Sequence, residues 1–87
     1  MPDSGPETGA AKLVFLGRLE DVAGVGELAV SPGPLDQVLA GLDPALAVQL
    51  LGERVRMALN GQLIAEGGGI VLAQGDELAF LPPVSGG

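Results

Sequence analysis

The sequence predicts an α+β domain, a small mixed β-sheet with one main helix packed on one face. Three observations lead there. Short apolar or alternating runs mark strands at both ends of the chain. One central stretch changes to a helical period. Asn60-Gly61 and Gly75-Asp76 then punctuate the second half with turns. At 87 residues there is room for one core, and with 47% hydrophobic but only 2% aromatic residues that core is built from Leu, Val, Ala and Ile.

The elements follow in order. Residues 1–11, rich in Pro, Gly, Ser and acid, carry no hydrophobic period and read as a disordered acidic leader. The folded unit is expected over 12–81. It begins with KLVFLGRL, where Leu13 and Phe15 alternate with Val14 and Leu16, read as a strand buried on both faces. EDVAGVG reads as loop, and residues 27–30 as a second strand forming an antiparallel hairpin with the first.

Leu35, Val38, Leu39 and Leu42 then fall at i, i+3, i+4 and i+7, one helical face, with Pro34 suited to the first turn. Asp43 can cap a second helical piece over 45–51 that ends at Gly52. Val55, Met57 and Leu59 alternate with Arg54, Arg56 and Ala58. Asn60-Gly61 is the strongest hairpin signal in the chain, because both central residues of a type I′ turn need positive φ. A short apolar run near Val71 and a final strand over 77–82 complete a β-β-α-β-β-(short)-β order. A crossover helix laid on one sheet face satisfies that order, although strand pairing stays open.

Composition excludes several functions. Eleven acidic against four basic residues give a net charge of −7 with no basic cluster, which disfavours nucleic acid as a partner. The chain has no Cys and no His, so it lacks thiolate ligands, a cysteine nucleophile and the usual general base, and no metal site is expected. No run approaches a membrane span and the start lacks a secretory pattern, so the expected location is the cytoplasm, with no membrane partner.

Apparent motifs have ordinary readings. GVGELA (24–29) fits a dinucleotide pattern, but a strand follows it where a helix must open. Gly67-Gly68-Gly69 lacks the Lys-Ser/Thr of a phosphate loop. Glu20-Asp21 and Asp76-Glu77 sit at turn-like positions. Arg54 and Arg56 form either a small cationic patch or cross-strand pairs with the protein's own acids. Ser and Thr hydroxyls have no activating histidine, so the chain is not expected to be catalytic by itself.

The tail, 82–87, is different. Pro82-Pro83 restricts the backbone to extended geometry, and six residues span at most about 20 Å. Gly86 and Gly87 lack Cβ, so a terminal carboxylate could enter a narrow slot. A carboxylate is a poor electrophile until another enzyme activates it.

GDELAFLPPVSGG (75–87) resembles the C-terminus of the small subunits of molybdopterin synthase, which share a Gly-Asp-Glu strand, an aromatic, Pro-Pro-Val and a final Gly-Gly. LVFLGRLEDVAG and ALNGQLI are similar to that family's first strand and Asn-containing hairpin, so the resemblance spans residues 12–87. It implies a ubiquitin-like β-grasp fold. It also implies that an E1-like adenylyltransferase uses ATP to adenylate Gly87, and that a sulfurtransferase converts the adenylate to a thiocarboxylate. The large subunit of molybdopterin synthase would accept the arm in a heterotetramer, for sulfur transfer to cyclic pyranopterin monophosphate in molybdenum cofactor biosynthesis. No cofactor is implied for this chain itself.

Carried onto these residues, Gly87 is the sulfur carrier, Gly86 gives slot access, and Pro82, Pro83, Val84 and Ser85 form the inserted arm. Phe80 and Leu81 lie where the family packs apolar side chains near its partner. By alternation one of them faces the core and the other the partner, and the sequence leaves open which. Leu81 departs from a position often aromatic in the family. Gly17 stands where many members have alanine, a change read as too small to matter. The alternatives are a sulfur carrier for thiazole, tRNA thiolation or cysteine synthesis, a protein modifier conjugated through Gly87, or an interaction module with an inert tail.

Overall fold

The computed structural model describes residues 10–52, 54–64 and 69–83. Within them lie β1 (Ala11–Phe15), α1 (Arg18–Ala23), β2 (Glu27–Val30), β3 (Gly33–Pro34), α2 (Leu35–Ala40), α3 (Pro44–Leu50), β4 (Arg56–Leu59), β5 (Gln62–Ile64), β6 (Val71–Leu72) and β7 (Glu77–Leu81). A five-stranded sheet runs β2-β1-β7-β4-β5, and β3 and β6 form a second sheet of two strands. β1 and β7 are parallel, and every other pairing is antiparallel. This is the mixed β-grasp sheet that the resemblance implies, with the first and last long strands side by side.

Period-two alternation sends Ala11, Leu13 and Phe15 of β1 and Leu78 and Phe80 of β7 to one face, where all five are buried. Register places Leu28, Val30, Met57, Leu59 and Ile64 on that same face, packed against them. The helices cover it with Leu19 from α1, Leu35 and Leu39 from α2, and Leu46 and Leu50 from α3. Phe15 and Phe80 are register partners whose rings stack with centroids 5.9 Å apart. They are the only two phenylalanines in the chain, so its aromatic content is spent on one central contact.

Four expectations change. The helical layer is shared among short helices of 6, 6 and 7 residues, with no single main helix among the described residues. The segment expected to be loop forms α1, anchored by buried Leu19 and closed by Gly24 in the left-handed conformation, its N–H donating to the Glu20 carbonyl. β1 is buried on one face only, and Lys12 and Val14 on the other are partly exposed. Ala11, expected in the leader, is buried within β1, and residues 1–9 lie outside the described residues. The cap on α3 is as expected: the Asp43 side chain accepts from the Ala45 N–H at 3.1 Å.

Two turn motifs lock together. Asn60 (φ 53°) and Gly61 (φ 85°) make the positive-φ turn between β4 and β5. The Asn60 amide donates to Asp76 Oδ1 at 3.1 Å, and its oxygen accepts from the Glu77 N–H at 2.9 Å. Asp76 Oδ2 accepts from the Ala73 N–H at 2.9 Å. Asn-Gly and Gly-Asp-Glu, read separately in the sequence, are therefore one clip fastening the β4–β5 hairpin to the entry of β7.

The backbone N–H of Ala73, and then the Asn60 amide, hold the Asp76 carboxyl below the usual carboxylate range. A lowered folded-state value means that the stabilisation is complete above the unfolded pKa and is lost as pH falls through the folded one. Asp76→Asn is therefore expected to be less stable than the parent at neutral pH, with the gap closing below about pH 4. Urea midpoints for both proteins across this range test it. A gap of constant size at neutral and acid pH contradicts the assignment.

Candidate functional site: the C-terminal arm

The arm leaves from the middle of the sheet, because β7 lies between β1 and β4. Leu16 donates its N–H to the Phe80 carbonyl at 3.1 Å, which extends the β1–β7 ladder past the end of β1. On the other side Arg56 stands opposite Leu81. Pro82 and Pro83 follow, each partly buried. Val84, Ser85, Gly86 and Gly87 lie outside the described residues.

Burial decides which of Phe80 and Leu81 faces the core. Phe80 is 0% exposed and belongs to the core, which corrects its assignment as a partner-binding residue. Leu81 is on the other face and partly exposed. Glu77 carried the missing signal: an ionised side chain at the start of β7 marks the outward phase, and Ala79 and Leu81 share its parity.

On this second face the register aligns Leu63, Ala58, Ala79 and Val14 across four strands, with Leu81 beside them toward the arm. All the buried helix residues pack on the opposite face. Leu63 is 64% exposed, so an apolar strip borders the base of the arm. Lys12 and Glu27 form an ion pair of 3.4 Å toward the far end of this face, next to Glu77 in the register.

The other candidate motifs keep ordinary roles. Glu20 and Asp21 are exposed in the first turn of α1, where acids complement the helix dipole. Residues 24–29 pass from the end of α1 into β2, so no helix opens where a dinucleotide fingerprint needs one. Gly67 and Gly68 lie outside the described residues. Arg54 and Arg56 are exposed. A cavity of about 540 Å³ opens between α2, α3 and β4, and Asp36 is the one ionisable residue lining it among those described. No described residues group three or more potential metal ligands. No helix of the described residues is long and apolar enough to cross a membrane.

The ThiS family matches residues 13–87. SAMP1 from Haloferax volcanii is 31% identical over 91% of this chain and 100% of its own, with a TM-score of 0.71. Small archaeal modifier protein 1 from Methanosarcina acetivorans is 30% identical over 92% of this chain and 98% of its own, with a TM-score of 0.75. A Pyrococcus furiosus protein described as a molybdopterin converting factor, subunit 1, shares the fold at 22% identity, covering 86% of this chain and 98% of its own, with a TM-score of 0.63. No curated protein matches the sequence. With its β-grasp sheet and the match across residues 13–87, the chain belongs to the ThiS family, the ubiquitin-like sulfur carriers and modifiers.

Proposed function

We propose that this chain is the sulfur-carrying small subunit of a molybdopterin synthase, working through a thiocarboxylate on Gly87. The observation that carries the reading is the exit of the arm: the central strand β7 runs directly into Pro82-Pro83 beside an apolar strip that no helix among the described residues covers. An arm rooted in the middle of a sheet begins from a defined position, and its prolines limit the conformational entropy lost when it enters a slot. Gly86 and Gly87 bring the carboxylate in without side-chain bulk.

The chemistry divides between this chain and its partners. The Gly87 carboxylate attacks ATP in an E1-like adenylyltransferase, giving an acyl-adenylate and pyrophosphate. Sulfur delivered by a sulfurtransferase displaces AMP and leaves the thiocarboxylate. The large subunit receives the arm, with Leu81, Leu63 and Val14 against its surface and Pro82, Pro83, Val84 and Ser85 in its slot. Acid–base groups come from that subunit, and sulfur passes to cyclic pyranopterin monophosphate while the Gly87 carboxylate is restored. ATP is consumed by the activating enzyme, and the cycle takes place in the cytoplasm.

A second reading is favoured by the two SAMP1 relatives at 30–31% identity. In it the same adenylate is attacked by a lysine amine, and the chain becomes a protein modifier. One experiment separates the two. Thiocarboxylated chain is mixed with a cognate large subunit and cyclic pyranopterin monophosphate, and cell extract charged with the same chain is searched for Gly87–lysine isopeptides. Sulfur in the pterin product at one equivalent per chain supports the synthase reading. Isopeptides without sulfur transfer support the modifier, and transfer to a different acceptor places the chain in another sulfur pathway.

A further inference from the structure

We infer that Gly17 is a positioning residue for the arm: its missing side chain is the seat on which the Pro82 ring rests, and that seat sets the direction in which the chain leaves the sheet at Pro82. The role concerns the step assigned under Proposed function and rests on that reading, while the seat itself rests on geometry alone.

The β1–β7 hydrogen-bond ladder cannot aim the arm. In a parallel pair, the Leu16 N–H donation to the Phe80 carbonyl would be followed by a donation from residue 82 back to the Leu16 carbonyl. Proline at 82 has no N–H to give. The Leu16 carbonyl accepts instead from the Leu19 N–H at 3.1 Å, in the first turn of α1. The β1–β7 ladder therefore stops at Phe80, and a side-chain contact takes over.

That contact is with Gly17. A Cβ built there would lie 2.8 Å from Pro82 Cγ and 3.5 Å from Pro82 Cδ. The first distance is below anything a carbon pair tolerates. The backbone at Gly17 (φ 57°, ψ −136°) also lies outside the regions open to residues with a Cβ. Gly17 is itself held from two sides: its carbonyl accepts from the Glu20 N–H at 3.1 Å, and Leu16 before it is pinned to β7. A Cβ at this position must either turn the backbone that starts α1 or push the Pro82 ring away. A displaced ring changes the direction in which the chain leaves β7 at Pro82, and a reacting group misplaced by about 1 Å costs about 10²-fold in a reaction requiring alignment.

The test is Gly17→Ala, alone and on a Pro82→Ala background, assayed by pyrophosphate release with ATP and a cognate activating enzyme at a temperature where every variant is folded. The docking surface is unchanged in Gly17→Ala, so KM should stay within about twofold while kcat falls by about tenfold or more. Removing the Pro82 ring removes the clash but leaves the backbone strain at position 17, so the alanine should cost kcat clearly less on the Pro82→Ala background than on the wild type. Wild-type kcat in Gly17→Ala, or an equal loss from the alanine on both backgrounds, overturns the inference.

Nuclear Overhauser contacts between the Gly17 Hα atoms and the Pro82 ring provide the second readout. They should be present in the wild-type chain and lost or weakened in Gly17→Ala, with the Phe80 amide signal unmoved. Their absence from the wild type overturns the seat. If they behave as expected but the wild-type chain is never adenylated, the carrier reading fails and the seat stands.

Discussion

A chain lacking Gly87 is expected to fold like its parent and to lose sulfur transfer by about 10²-fold or more. Among the described residues β7 and the buried core end by Leu81, so the deletion is expected to spare the fold. The deletion leaves a glycine carboxylate of unchanged chemistry on Gly86, withdrawn by about 3.5 Å. The loss therefore reports reach together with slot access, since the terminal group is chemically the same and Ser85 now stands where Gly86 stood. Thermal unfolding by circular dichroism should match the full chain, and single-turnover transfer from a thiocarboxylated sample should fail. Retained transfer would mean that the terminus is not the carrier, or that the receiving slot places no demand on length.

Phe80→Ala should unfold the domain partly or completely. Phe80 is fully buried, stacked on Phe15 and bordered across β4 by Met57, its register partner. Truncating a buried phenylalanine costs about 3–5 kcal/mol. A domain of this size has a total stability of roughly 4–13 kcal/mol, so that loss takes a large share. Leu81→Ala, one position along the same strand, should cost about 1 kcal/mol or less, because Leu81 is partly exposed and outside the core. It should instead weaken association with the large subunit. Urea unfolding of both variants, with binding measured on Leu81→Ala, checks the pair. Equal destabilisation by the two substitutions would contradict the assignment of the two faces of β7.

The strands of the main sheet were legible because their side chains alternate over several residues and their turns carry specific chemistry. Asn60-Gly61 announces its hairpin by itself. Three features were out of reach for physical reasons. α1 is too short to show a helical period, and only Leu19 within it is buried, although Gly24 is a visible stop signal. β3 and β6 are two residues each, and Gly33-Pro34 has no strand propensity, so their pairing exists only through tertiary placement. In β1 both parities are apolar, which hid the core phase. Lys12 and Glu77, register partners on the outer face, were the residues that could have resolved it.

The candidate site divides in the same way. The composition of the arm was readable, and Pro-Pro followed by Gly-Gly says something about stiffness and access wherever it occurs. Its root was not. Gly17 looks like a neutral exchange for alanine until its φ and its distance to Pro82 are known, and neither is local sequence information. Asp76-Glu77 looked like solvated turn acids, yet Asp76 is the acceptor that joins two turns.

The central claim is that Gly87 is activated and loaded with sulfur, and intact-mass spectrometry tests it most directly. The full chain is incubated with ATP, a cognate activating enzyme and a sulfur source, and the enzyme's competence is verified on another carrier. The account predicts a mass gain equal to one oxygen replaced by one sulfur, localised by fragmentation to Gly87 and absent without ATP. An unchanged mass under those conditions would contradict it.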